Sequence, residues 1–269
     1  MKHSFIICAS FLLWLDLAQG ELVTSKFQGS GLQRSVSIRA TNGSVVVIGD
    51  DRSNVSAVKR RWPKNFREMS FDRPVSSGRG DLNFNNELRM KSSGNRLTIS
   101  FNAQRRSETL YVWVPMGVDL KVSTAGDGSI AVRNARGEVD VESSQGEILL
   151  DKIWGPVVAH ALNRDLWVKF AALVAGRPNY LSSLNGDLSL VLPEGADASF
   201  DLEFFNGEVE TTVPITLIPG KGKWTSENPK LFEPSRLAAS NRGGTHFSIK
   251  NHNGNITISD YKLEELNEQ

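Results

Sequence analysis

An all-β fold, and within that class a single-domain, β-helix-like β-solenoid behind a signal peptide, is the architecture that this 269-residue sequence predicts. Three observations carry the prediction. Short β-branched segments recur every nine residues, a glycine corner stands before most of them, and each segment turns the same aliphatic set to one side. The recurrence is plainest in the middle of the chain. Asp127-Gly128-Ser129-Ile130-Ala131-Val132 is followed, at steps of nine residues, by Arg136-Gly137-Glu138-Val139-Asp140-Val141 and Gln145-Gly146-Glu147-Ile148-Leu149-Leu150. Trp154-Gly155-Pro156-Val157-Val158-Ala159 and Asn163-Arg164-Asp165-Leu166-Trp167-Val168 continue it.

Each unit has two parts with separate causes. After the glycine the residues alternate, so Ile130 and Val132 share one face while Ser129 and Ala131 share the other. Period-two alternation of β-branched residues marks a half-buried strand. The glycine marks the turn, since it enters the left-handed region without the ~1–2 kcal/mol that a Cβ costs there. Gly43, Gly128, Gly137, Gly146, Gly155, Gly186, Gly207 and Gly254 are the expected structural corners. Arg164 departs from the rule and predicts a looser corner.

The same unit reaches both ends of the chain. Val36 and Ile38 precede Val45 and Val47 by nine residues across Asn42-Gly43, and Phe247 and Ile249 precede Ile256 and Ile258 likewise across Asn253-Gly254. Asn185-Gly186-Asp187-Leu188 and Asn206-Gly207-Glu208-Val209 are further copies. One domain over residues 21–260 is therefore expected. Pro-containing insertions near 60–81 and 219–240 interrupt it, and a polar tail, 261–269, follows. Strands at this spacing could form a meander of hairpins or stack in parallel on later coils. The inward set (Ile130/Val132, Val139/Val141, Ile148/Leu150, Val157/Ala159, Leu166/Val168) is nearly uniform, as an aliphatic stack requires, and favours the solenoid.

The N-terminus predicts export. Lys2 and His3 precede an uncharged apolar run from Phe5 to Leu15, and Ala18-Gln19-Gly20 places small residues where a signal peptidase reads. Cleavage after Gly20 is expected, and the run is too short for the roughly 20 residues of a spanning helix. The single cysteine, Cys8, leaves with that segment, so a disulfide framework and thiol chemistry are excluded from the mature chain. Net charge is +1, yet residues 51–106 hold 13 Lys or Arg against 5 Asp or Glu, and residues 119–151 hold 3 against 7. Solvated faces account for both.

The run Tyr111-Val112-Trp113-Val114-Pro115, with Val118-Asp119-Leu120-Lys121-Val122 and Gly126-Asp127-Gly128-Ser129-Ile130, resembles the middle of the bacterial putative-adhesin domain family of unknown function. Asn185-Gly186-Asp187-Leu188 and Phe205-Asn206-Gly207-Glu208-Val209 resemble its later repeats. The resemblance implies an exported β-solenoid of the cell envelope, periplasmic or at the cell surface. It brings no catalytic residue with it.

Residue chemistry points the same way. His160, His246 and His252 lack a third ligand at metal-site spacing, so no metal and no cofactor is expected. The nine-residue units carry single glycines and irregular acids (Glu138, Glu147, Asp187, Glu208), unlike a calcium-binding β-roll. Phosphate loops, nucleophile elbows and His-Glu-x-x-His motifs are absent. A polysaccharide-acting β-helix would need Asp140, Glu142, Asp151, Lys152 and Lys169 to converge. Tyr111, Trp113, Trp154 and Trp167 alternate with core positions or stand near them, and form the expected ligand surface if they are uncovered. The sequence thus predicts a non-catalytic binding or structural module. Its partner would be a glycan, an envelope polymer or an envelope protein, not a nucleic acid. A polysaccharide-acting enzyme and a periplasmic accessory or sensing domain are the alternatives.

Overall fold

In the computed structural model, the residues that can be described are 22–28, 33–61, 88–104, 108–214, 216–217, 235–240 and 244–262. The expected signal segment 1–20, most of the insertions near 60–81 and 219–240, and the tail beyond Lys262 lie outside them. The described residues form strands and no helix. Chain order begins with β1 (Val23–Ser25), β2 (Ser35–Thr41), β3 (Ser44–Asp50), β4 (Val55–Arg61), β5 (Leu88–Ser93), β6 (Arg96–Asn102) and β7 (Glu108–Pro115). The middle holds β8 (Asp119–Ala125), β9 (Ile130–Ala135), β10 (Val139–Ser143), β11 (Ile148–Ile153), β12 (Val157–Ala161), β13 (Leu166–Phe170), β14 (Asn179–Asn185) and β15 (Leu188–Pro193). Then come β16 (Ala198–Asn206), β17 (Val209–Thr211), β18 (Thr216–Leu217), β19 (Ser235–Ser240), β20 (Thr245–Asn253) and β21 (Ile256–Tyr261). β19 lies inside the segment expected to be a loop.

Two mixed sheets result. Sheet I runs β1-β4-β7-β3-β9-β11-β13-β15-β21-β17, and sheet II runs β18-β19-β16-β20-β14-β12-β10-β8-β2-β6-β5. From β8 to β15 successive strands alternate between the sheets. Through β13 each pairs in parallel with the strand two places on, so Ile148 lies between Ile130 and Leu166, and Val139 between Leu120 and Val157. Two nine-residue units therefore complete one circuit, and the pairing is not that of hairpins, which are antiparallel. Antiparallel pairs are confined to the flanks, as in β4–β7, β5–β6 and β16–β19.

The inward residues meet in one core. Val45, Val47, Ile130, Val132, Ile148, Leu150, Leu166 and Val168 come from sheet I, and Val36, Ile38, Leu120, Val122, Val139 and Val141 from sheet II. Each is at most 3% exposed, so each is worth ~1.5–3 kcal/mol of burial. Toward the C-terminal coils phenylalanines take over, with Phe247 packed 5.6 Å from both Phe170 and Phe200.

Coil order does not follow chain order at either end. β2 lies between β6 and β8 while β3 lies between β7 and β9, so the first coil is inserted behind later ones. At the other end β20 separates β14 from β16, and β21 separates β15 from β17.

The corner motif explains the repeat. At the turn from sheet II to sheet I, Asn206, Asn253, Asn185 and Asn163 form a ladder, each donating its side-chain N–H to the next side-chain oxygen at 2.7–3.0 Å. The residue after the corner glycine then receives the next coil's backbone. Asp187 Oδ1 accepts from the Asn255 N–H at 2.8 Å, and Asp165 Oδ1 from the Asp187 N–H at 3.0 Å. Asn, Gly and acid thus serve as rung, close contact and cap, which accounts for Asp187 without calcium.

The glycine requirement has a different cause from the one expected at Gly137. This residue does not adopt a left-handed φ. A Cβ there would stand 2.2 Å from the Val118 carbonyl oxygen, so stacking of coils excludes a side chain. Gly43, with φ +108°, does meet the left-handed expectation. Arg164 sits in the same stack without positive φ, its carbonyl against Gly186, and its side chain is exposed.

Candidate functional site

Residues that alternate with the core form the outer faces of the sheets, and these faces carry the candidate chemistry. On sheet I several outward residues of β3, β7 and β9 are themselves apolar. Val46, Ile48, Tyr111, Trp113 and Ala131 join Val58 in a second buried cluster. Tyr111 and Trp113, stacked with ring centres 6.1 Å apart, are only 8% and 1% exposed. The expectation that they help form an open ligand surface is therefore corrected: burying these rings removes apolar area from water and leaves nothing to contact. Trp154 and Trp167 remain half-buried, Trp167 beside Leu149.

Between these two tryptophans lies a cationic strip. Arg133, Asp151 and Lys169 are outward neighbours on β9, β11 and β13, with Arg133 Nε 3.1 Å from Asp151 Oδ2. β11 carries a bulge, so Asp151 and Lys152 together face Lys169. Lys152 holds φ +54° and its lateral neighbour Asn134 holds +59°, two left-handed non-glycine residues side by side. Burial lowers the pKa of Lys152, and Arg133 and Lys169 push it the same way while Asp151 opposes them. Lys169 Nζ sits 4.2 Å from the Tyr261 ring centre, and Tyr261 donates to the Phe170 carbonyl at 2.9 Å. Burial, and then Asp151, push the Tyr261 phenol up to about 12. At the strand end Arg136 lies over the Trp154 ring at 5.3 Å.

Sheet II presents a different surface. Leu162, just past β12, and Leu184, Phe205 and Tyr180 are 40%, 44%, 37% and 47% exposed, on neighbouring strands of one face. The register of β14, β20 and β16 places Leu184, His252 and Phe205 in one row, and the His252 and Phe205 rings are 4.7 Å apart. The sequence contained the signal: Leu162, Leu184, Phe205 and His252 each immediately precede a corner asparagine. Alternation makes that position outward in every coil, so bulky residues there form a strip.

The same face holds His160, His246 and His252. His160 Nδ1 is 2.6 Å from Ser182 Oγ, with Glu142 the register partner of His160 on the other side. Acid, imidazole and hydroxyl in a row have the composition of a nucleophilic triad. Here His160 is exposed, and the β14 backbone is paired to β12 on one side and to β20 on the other. Oxyanion donors and a dry cavity, which such a serine needs, are not supplied by that arrangement.

The charged set that a polysaccharide-acting β-helix would need does not assemble. Asp140 and Glu142 stand on the outer face of sheet II, with Lys121 bonded to Asp140, whereas Asp151, Lys152 and Lys169 stand on sheet I across the core. Among the described residues no group of three or more His, Cys, Asp or Glu could hold a metal ion. A cleft of about 180 Å³ lined by Leu192, Pro193, Val213 and Asp260 is small beside the ~300–1,000 Å³ of ligand pockets.

No family model matches the chain, and no curated protein does. Among solved structures it is similar to a putative cell adhesion protein from Clostridium sporogenes, at 8% identity and a TM-score of 0.41, covering 90% of this chain and 100% of that one. It is also similar to a putative adhesin from Bacteroides fragilis, at 9% identity and a TM-score of 0.34, covering 90% and 98%.

Proposed function

We propose that this chain is a non-catalytic, adhesin-like module exported to a bacterial envelope, a β-solenoid that holds a partner protein against the outer face of sheet II. The observation that supports the reading is the strip of Leu162, Leu184, His252 and Phe205. Large apolar side chains gathered in water on an otherwise polar face favour contact with a complementary apolar surface. The solenoid reading rests on the 18-residue circuit from Ile130 to Ile148 to Leu166 with parallel pairing. Export rests on the leader-like residues 1–20. A non-catalytic role is favoured by the split of the charged set between opposite faces and by the open setting of Ser182.

Retention of native envelope proteins on the immobilised protein tests the surface, with Leu184→Glu and Phe205→Glu as variants. Each variant should retain partners at least tenfold less while melting as the parent does; equal retention by folded variants would refute the surface. New unsaturated ends from uronic-acid polymers would instead favour the enzyme. Fractionation of the native cells tests export, since a cytoplasmic chain that keeps residues 1–20 would overturn it.

A further inference from the structure

We propose that the outer face of sheet II over β5, β6, β2 and β8 is a binding site for a linear polyanion whose charges are tetrahedral oxyanions, phosphate or sulfate. This site lies toward the opposite end of sheet II from the Leu184 strip and does not depend on it.

Alternation fixes which side chains face outward on these strands, because the residues between them are buried in the core. Register then sets the outward residues in rows across the sheet. One row runs Lys91 on β5, Thr98 on β6, Ser37 on β2 and Lys121 on β8. The next runs Arg89, Ser100, Arg39 and Ser123, and Arg96 stands on the other side of Thr98. Five cations (Arg39, Arg89, Lys91, Arg96 and Lys121) thus share the face with one carboxylate, Asp119 on β8. That carboxylate is already committed, since it accepts from the Gln33 side chain and from the Glu138 N–H at 3.0 Å. Lys121 is bonded to Asp140, and Arg89 has an interaction of its own. Arg39, Lys91 and Arg96 are exposed and make no ion pair with a described residue.

The charges are segregated rather than interleaved. Glu138, Asp140 and Glu142 stand together on β10, and Glu142 shares a row with Arg39 two strands away without pairing to it. Between the cations lie hydroxyls. Thr98 and Ser37 are half-buried neighbours, and neither hydroxyl has a hydrogen-bond partner among the described residues. A tetrahedral oxyanion offers oxygens in several directions, so it can accept from a guanidinium, a hydroxyl and an ammonium rising from strands about 4.8 Å apart. A planar carboxylate, with two oxygens, satisfies fewer of them. The face is about 14 Å wide and is bounded by the edge strand β5 and by the acids of β10. One polymer chain lying along the strands fits that width, whereas a lipid leaflet would also press on Glu142. No aromatic side chain faces outward on these strands, so a nucleobase has no ring to stack on and only oxyanions are held.

The test titrates the full chain with polyphosphate, dextran sulfate, polygalacturonate and neutral dextran. Saturable binding is expected for polyphosphate or dextran sulfate, roughly tenfold weaker binding for polygalacturonate, and none for dextran. Whichever of the first two binds identifies the oxyanion. Arg39→Gln, Lys91→Gln and Arg96→Gln should each weaken binding roughly threefold to tenfold, the loss of one exposed ionic contact. Each should also lower the slope of log affinity against log salt by about 0.7–0.9. Thr98→Val should weaken binding and leave that slope unchanged. Arg164→Gln removes the same charge at an exposed corner and should change neither. The proposal is overturned if neither polyphosphate nor dextran sulfate binds saturably, or if polygalacturonate or dextran binds as tightly as they do. It is equally overturned if folded Arg39→Gln and Arg96→Gln lose no more affinity than Arg164→Gln.

Discussion

Gly137→Ala isolates the cause of the glycine corners. If coil stacking demands the glycine, one methyl group there is costly although the backbone conformation tolerates it. The added Cβ would lie 2.2 Å from the Val118 oxygen, 2.5 Å from its carbon and 2.9 Å from the Asp119 nitrogen, all backbone atoms that cannot rotate away. The neighbouring coils, which repeat about every 4.8 Å, must part locally by roughly 1 Å to restore contact distance. Such a separation stretches the adjacent rungs, where Leu120 N–H donates to the Glu138 oxygen and Arg136 N–H to the Met116 oxygen, both at 2.8 Å. Overpacking costs ~1–3 kcal/mol and each weakened rung up to ~1 kcal/mol, about 3 kcal/mol together. In a domain of this size that lowers the melting temperature by about 6–12 °C. Two controls separate the mechanisms. Gly94 has φ +58° and open space around a Cβ, so Gly94→Ala should cost only the left-handed penalty, about 1 kcal/mol. Gly117 has neither constraint, and Gly117→Ala should be neutral or slightly stabilising. Thermal and urea unfolding of the three variants give the order. If Gly137→Ala melts like the parent, or loses less than Gly94→Ala, coil stacking is not the reason for the corner.

Three further outcomes are expected. Tyr261 has a folded pKa raised to about 12 against an ordinary 10.0, so its contribution to stability is complete below pH 10 and is lost as pH rises toward 12. Tyr261→Phe should flatten the unfolding free energy across that window, and an unchanged slope would refute the assignment. Asn253→Ala removes two rungs of the asparagine ladder, both 2.7 Å long, and should cost about 1–2 kcal/mol in urea unfolding; a neutral result would show that the ladder is idle. Lys152→Gly removes the cost of holding a residue with a Cβ at φ +54° and should raise stability by about 1 kcal/mol, roughly 2–4 °C, a gain that a calorimeter would reveal. A lower melting temperature would mean that the Lys152 side chain contributes more through its contacts than its conformation costs.

The nine-residue period, the strand positions and the inward set from Val36 to Ile258 were legible in the sequence, because alternation and glycine placement are local properties of the chain. So was the outward direction of Trp113 and Trp167. Whether an outward ring stays wet was not legible. Trp113 is covered because Ile48, on a strand distant in sequence, lies beside it and the Arg52 guanidinium stands 5.8 Å from its ring centre, while Trp167 has Leu149 on one side and Ser189 on the other. The strip before the corner asparagines was written in the chain, but only the register of β14, β20 and β16 makes it continuous. The five charged residues that the alternative enzyme reading needs together were close in sequence, yet successive units enter opposite sheets, so Asp140 and Glu142 face away from Lys152 and Lys169. Coil order was decided by tertiary structure alone. Every coil offers nearly the same aliphatic stack and the same open rungs, so local pattern cannot select a neighbour, and the insertion of β2–β3 and of β20–β21 between other coils depends on pairing over long stretches of chain.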